Sequence, residues 1–90
     1  MKPDQLLQEL KIIAERLSVN VMEQSFKQTG VNVKSGFCIV KGEKRIILDK
    51  HKTPKEKTEI LASILKHFPI DDIYIIPAVR EFISEVEDAE

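Results

Sequence analysis

Thr53-Pro54-Lys55-Glu56-Lys57-Thr58-Glu59-Ile60-Leu61-Ala62-Ser63-Ile64-Leu65-Lys66-His67-Phe68-Pro69 is the stretch from which the fold is read. It carries a start, a stripe and a stop. Thr53 suits an N-cap. Pro54 suits the first helical position, where its missing N–H costs nothing, and Glu56, three residues after the cap, completes a capping box. Ile60, Leu61, Ile64, Leu65 and Phe68 recur at helical spacing and form one apolar stripe. Pro69 stops the run. The pattern predicts a helix over 53–69 with one buried face, and the rest of the chain must supply the surface that covers it.

Upstream, Leu6, Leu10, Ile13, Ala14 and Leu17 fall on one face of a first helix, with Leu7 and Ile12 widening the stripe. Pro3 and Asp4 suit its first turn. Val19-Asn20-Val21-Met22-Glu23 begins with strand alternation and reads as a short strand. Thr29-Gly30 and Ser35-Gly36 are turn signals, and the alternating Val31 and Val33 between them suggest an edge strand. Phe37-Cys38-Ile39-Val40 and Arg45-Ile46-Ile47-Leu48 are aliphatic runs separated by Lys41-Gly42-Glu43-Lys44, where Gly42 can supply the positive φ of a tight turn. They read as a hairpin. Ile70 to Ile76 reads as a connector. Pro77 opens a last helix with Val79, Phe82, Ile83 and Val86 on one face, and its acidic tail, 87–90, opposes the helix dipole and is expected to fray. The economical arrangement is a single α+β domain over 1–90: helix, three-stranded antiparallel sheet, helix, helix.

Composition narrows the function classes. An apolar content of 42% is enough for one core, but a 90-residue chain buries only a modest area, which makes an oligomer plausible. A single cysteine, Cys38, forms no intramolecular disulfide and suits a reducing cytoplasm. No stretch has the apolar length of a membrane span, and the polar start lacks a signal-peptide core. Charge is unevenly placed. Residues 41–57 hold seven Lys and Arg against three acids, a net of +4, and residues 71–90 hold seven acids against Arg80, a net of −6. Nucleic acid is disfavoured as a partner, because the basic segment has no aromatic residue for base stacking and the whole chain is not basic.

Four stretches carry a further pattern: Leu17-Ser18-Val19-Asn20-Val21, Gly36-Phe37-Cys38, Gly42 to Asp49, and Leu61-Ala62 through His67. Over residues 5–68 their order resembles the core of the ImmA/IrrE group of small zinc peptidases, in which a helix, a strand and a hairpin lead to a metal-binding helix. The resemblance implies zinc held by two histidines one helical turn apart, with a Glu directly after the first as general base. Those places are 63, 64 and 67, and this chain has Ser63, Ile64 and His67. Ser is a poor zinc ligand, and Ile64 moves no proton. The family's third ligand is an acid on a later helix, where Glu81 and Glu85 lie unmarked. What the resemblance implies is therefore the scaffold without the chemistry.

A protonated His67 would suit the negative end of the helix dipole, in the last turn of its helix. His51 lies in a Lys-rich loop and reads as solvent-exposed. Cys38, beside Phe37 and Ile39, reads as a small buried hydrophobe. Cys38, His51 and His67 have no ligand spacing, and no P-loop, Ser/His/Asp signature or EF-hand is present. The expectation is no catalytic residue, no metal and no cofactor. Interaction candidates are the apolar segment Ile73, Tyr74, Ile75 and Ile76, which needs a partner if the chain does not cover it, and the cations Lys44, Arg45, Lys50 and Lys52. The sequence thus reads as a non-catalytic, cytoplasmic protein-interaction or structural module, whose partner is another protein or a second copy in a homodimer. Two readings from other classes stand beside it: a metal-dependent hydrolase with an unorthodox site, and a polyanion or nucleic-acid binder using residues 41–57.

Overall fold

A computed structural model of the protein describes residues 1–25 and 36–87. The expected edge strand around Val31 and Val33 lies outside the described residues, as does the end of the acidic tail. The elements are α1 (Pro3–Arg16), β1 (Val19–Gln24), β2 (Gly36–Val40), β3 (Glu43–Asp49), α2 (Pro54–Leu65), a 3-10 turn (Ile70–Asp72) and α3 (Pro77–Glu85).

Helix α1 starts as its first residues suggest. Pro3 takes the first helical position, and the Gln5 Oε1 accepts a hydrogen bond from the Lys2 N–H at 3.3 Å. Its buried line runs through Leu7, Leu10, Ile13 and Ala14, whereas Leu6 and Leu17 are only half-buried, so the stripe is rotated slightly from the one expected. The chain leaves α1 through Ser18 at φ 61°, a left-handed residue of the kind that ends helices.

The sheet is mixed, and this corrects the all-antiparallel expectation. Strand order is β1-β3-β2, with β2 antiparallel to β3 and β1 parallel to it in the register Val19↔Lys44 through Gln24↔Asp49. The hairpin is local and was legible: a two-residue turn with positive φ at both Lys41 (51°) and Gly42 (80°) joins the strands, the geometry that matches strand twist. The place of β1 is non-local. Strands β1 and β2 run in opposite directions but stand two strand spacings apart, about 9.6 Å, and β3 fills the gap. A strand antiparallel to β2 is then necessarily parallel to β1. The most buried strand takes the centre, with Ile46 and Leu48 fully buried.

Register also sorts the faces. Val19, Val21, Ile46 and Leu48 point toward the helices, and Asn20, Met22, Arg45, Ile47 and Cys38 point the other way. Helices α1 and α2 pack on the first face and on each other, and α3 packs against both helices. Cys38 is half-buried on the far face rather than buried as expected.

In α2 the capping box forms in full. The Thr53 Oγ1 accepts from the Glu56 N–H at 3.2 Å, and the Glu56 carboxylate accepts from the Thr53 N–H at 3.1 Å, which holds that carboxyl below its ordinary value. From Leu61 to Leu65 five consecutive residues are buried, because the sheet, α1 and α3 surround this half of the helix. The α-helix closes at Leu65, one turn before the expected Pro69. The His67 and Phe68 N–H groups donate to carbonyls three residues back, at 3.2 and 3.0 Å, so the last turn is tightened. Pro69 disfavours helical geometry at Phe68, and the tightening accommodates it. His67 therefore lies beyond the helix rather than in its last turn. The 3-10 turn between the last two helices was also not expected. At the other end, α3 stops at Glu85, Val86 is extended, and the Lys66 Nζ donates to the Val86 carbonyl at 2.9 Å. Among the described residues no helix is long and apolar enough to cross a membrane.

Candidate functional site

The connector 73–76 becomes a site because one arginine holds it. Arg80, in the first turns of α3, reaches back and donates to the Ile73 carbonyl at 3.2 Å and the Ile70 carbonyl at 3.4 Å, and it pairs with Asp71 at 3.4 Å. The segment is thus fixed in extended form alongside α1, and its side chains alternate. Ile75 turns inward at 5% exposure, Tyr74 turns outward at 75%, and Ile76, the N-cap of α3, remains 37% exposed. Ile73 is half-buried.

Between this connector and α1 lies a groove of about 170 Å³. Its floor is Ile12 and Ile13 of α1, Ile75, and Val79 of α3; Tyr74 and Ile76 form one wall; Glu9 and Arg16 stand at its two ends. The sequence pointed to the 73–76 side. It missed the α1 side, whose only signal was Ile12 at the margin of the helical stripe, as if one more surface than the core needed covering.

The basic candidates do not form one surface. Lys44 and Arg45 are consecutive on β3 and point to opposite faces. The Lys44 ammonium lies 5.9 Å from the Phe68 ring centre, and Phe68 meets Phe37 edge to face at 5.5 Å, so this cation covers an aromatic pair. Arg45 pairs with Glu43 at 3.0 Å. Lys52 stands 3.8 Å from Glu56. Lys50 is exposed at the far end of β3, about 20 Å of strand from Lys44. Segment 41–57 thus divides into separate, partly paired charges. Lys57 bonds to Glu23, whose carboxylate also takes Lys11 at 2.6 Å. These two ammonium groups, Lys11 first and Lys57 second, outweigh desolvation and hold the Glu23 carboxyl below its ordinary value. One β1 side chain thereby ties α1 to α2.

The zinc-motif positions fall into the core. Ser63 is 5% exposed and its Oγ donates to the Ile60 carbonyl at 2.6 Å, and Ile64 is 7% exposed. His67 is exposed. The His51 Nε2 lies 3.2 Å from the Oγ of buried Ser25, and its N–H donates to Asp49, so this histidine fastens the loop after β3. Among the described residues no group of three or more His, Cys, Asp or Glu could hold a metal ion.

Strand β2, an edge of the sheet, also exposes apolar side chains, Phe37 and Ile39 on the helix side and Val40 on the other. Phe37, Ile39 and Val40 of the edge strand β2 are exposed at 42%, 61% and 39%. Set against protein-family models, curated proteins and solved structures, the chain matches none.

Proposed function

We propose that the chain is a non-catalytic protein-interaction module that works through the groove between α1 and residues 73–76. The observation that carries this reading is Tyr74, 75% exposed beside an apolar floor, on a connector whose first residue Arg80 ties to α3. A tyrosine offers a large apolar ring and a polar tip at little entropic cost, which makes it a frequent anchor of protein contacts. The Arg80 bonds to the Ile70 and Ile73 carbonyls anchor the chain just before Tyr74, which reduces the ordering that binding requires. On this reading the chain keeps a scaffold like that of the small zinc peptidases without their chemistry, and its one thiol belongs in the reducing cytoplasm.

Neither alternative gathers comparable support. A hydrolase of the zinc type would need its ligand and base at 63 and 64, and both positions are spent on packing. A polyanion binder would need the cations of 41–57 on one face, and the β3 alternation separates them.

A photo-crosslinking amino acid in place of Tyr74, in the full chain, tests the proposal in extract of the native host. The expected result is a covalent adduct with protein, either another copy or a different chain, well above that from the same group at exposed Lys41. Equal yields at the two positions would overturn the proposal.

A further inference from the structure

Glu9 and Arg16 are seven residues apart on α1, so they share a face and stand about 10 Å apart along the axis. Their midpoint falls between Ile12 and Ile13, the apolar floor. A two-fold axis at that point, with two α1 helices antiparallel, sets Glu9 against Arg16 of the second copy and Arg16 against its Glu9, while the half-buried Ile12 of each copy meets Ile12 of the other. Both charges are available for this. The ion pairs among the described residues use Lys11, Glu23, Glu43, Arg45, Lys52, Glu56, Lys57, Asp71 and Arg80, but neither Glu9 nor Arg16.

We propose that the partner of this surface is a second copy of the chain, docked α1 against α1 in antiparallel fashion about a two-fold axis between Ile12 and Ile13. This deepens the protein-interaction reading and rests on it. A two-fold contact uses every complementary pair twice, so one acid and one base at matched distances from the axis make two ion pairs. Tyr74 and Ile76, exposed beside α1, extend the apolar contact on both sides of the crossing. A net charge of −1 raises little repulsion between copies. The strand edge at β2 offers no such choice of partner, since its exposed side chains are all apolar and any extended segment would suit them.

The test is a charge swap read by analytical ultracentrifugation of the full chain from about 1 to about 200 μM. The natural chain is expected to dimerise. Glu9→Arg alone and Arg16→Glu alone each turn both ion pairs into like-charge contacts and should weaken self-association by more than about tenfold. An equimolar mixture of the two single variants restores both pairs across the contact and should form the heterodimer. The double variant E9R/R16E should recover the homodimer. Arg16 is exposed and Glu9 half-buried, and unchanged circular dichroism and unfolding midpoint confirm that the variants fold. A natural chain that stays monomeric over the whole range overturns the proposal. So does a dimer that both single variants keep at full strength, which would move the contact elsewhere, β2 first. A monomer that still crosslinks from Tyr74 to a different protein refutes the self-contact and leaves the interaction module standing.

Discussion

Two apolar runs of similar composition, Ile60 to Leu65 and Ile73 to Ile76, have opposite fates. The first lies on a helix surrounded by the sheet, α1 and α3, and Leu61 to Leu65 are all buried. The second lies on an extended connector alongside α1 and the start of α3, and every second side chain is turned away. Hydrophobicity does not separate them. Backbone geometry and the number of packed neighbours do, and the consequence is a division of labour. One run holds the fold together, and the other leaves Tyr74 and part of Ile76 at the surface.

The largest expected effect tests the first half of that contrast. Ile64→Ala removes a side chain that is 7% exposed and should cost about 2–5 kcal/mol. That is a large share of the roughly 5–15 kcal/mol that holds a small domain folded. Urea unfolding measures it. A change under about 0.5 kcal/mol, the usual range of surface positions, would place Ile64 outside the core and erase the contrast.

Next comes the start of the same helix. Thr53→Ala removes the acceptor of the Glu56 N–H and should destabilise by about 0.5–2 kcal/mol. An unmoved unfolding midpoint would mean that the packing of Leu61 to Leu65 holds α2 without its cap.

What the sequence disclosed follows from the range of the interactions involved. The capping box at Thr53 and Glu56, the Lys41-Gly42 turn and the stripes of α1 and α2 are set by residues within a few positions of one another, and all were readable. The parallel pairing of β1 with β3 was not, because Val19 and Lys44 are matched only after β3 has entered between the other two strands. The candidate site divides in the same way. Ile73 to Ile76 stood out as an apolar run, whereas its counterpart on α1, around Ile12, needed the fold to bring it alongside. Charge summed along 41–57 does not show how the fold distributes it, and alternation on β3 sends Lys44 and Arg45 to opposite faces.

A smaller effect is expected where Glu23 ties α2 to α1. Its carboxyl is held below the ordinary value of 4.5, chiefly by Lys11 and then by Lys57. A lowered carboxyl adds stability that is fully present above the unfolded value and is lost as pH falls through the folded one. Glu23→Gln should therefore lower the urea midpoint at about pH 7 and converge on the natural chain as the pH falls through the folded value of the glutamate, below its ordinary 4.5. A gap that persists unchanged in acid would show that the glutamate acts by packing and not by charge.

The smallest effect on folding is the sharpest test of the second run. Tyr74 is 75% exposed, so Tyr74→Ser should change the stability of the monomer by no more than about 0.5 kcal/mol. Stability and association are separable by concentration, because a contact that forms only between folded copies raises the unfolding midpoint as protein is added. The natural chain should show that rise, and Tyr74→Ser should show little or none while matching the natural chain at high dilution. If the variant is instead destabilised by more than about 1 kcal/mol at high dilution, Tyr74 supports its own fold, since losses of that size come from packing or polar contacts within the molecule. Ile60 to Leu65 and Ile73 to Ile76 would then serve the same purpose, and the case for the groove as a contact surface would rest on Glu9 and Arg16 alone.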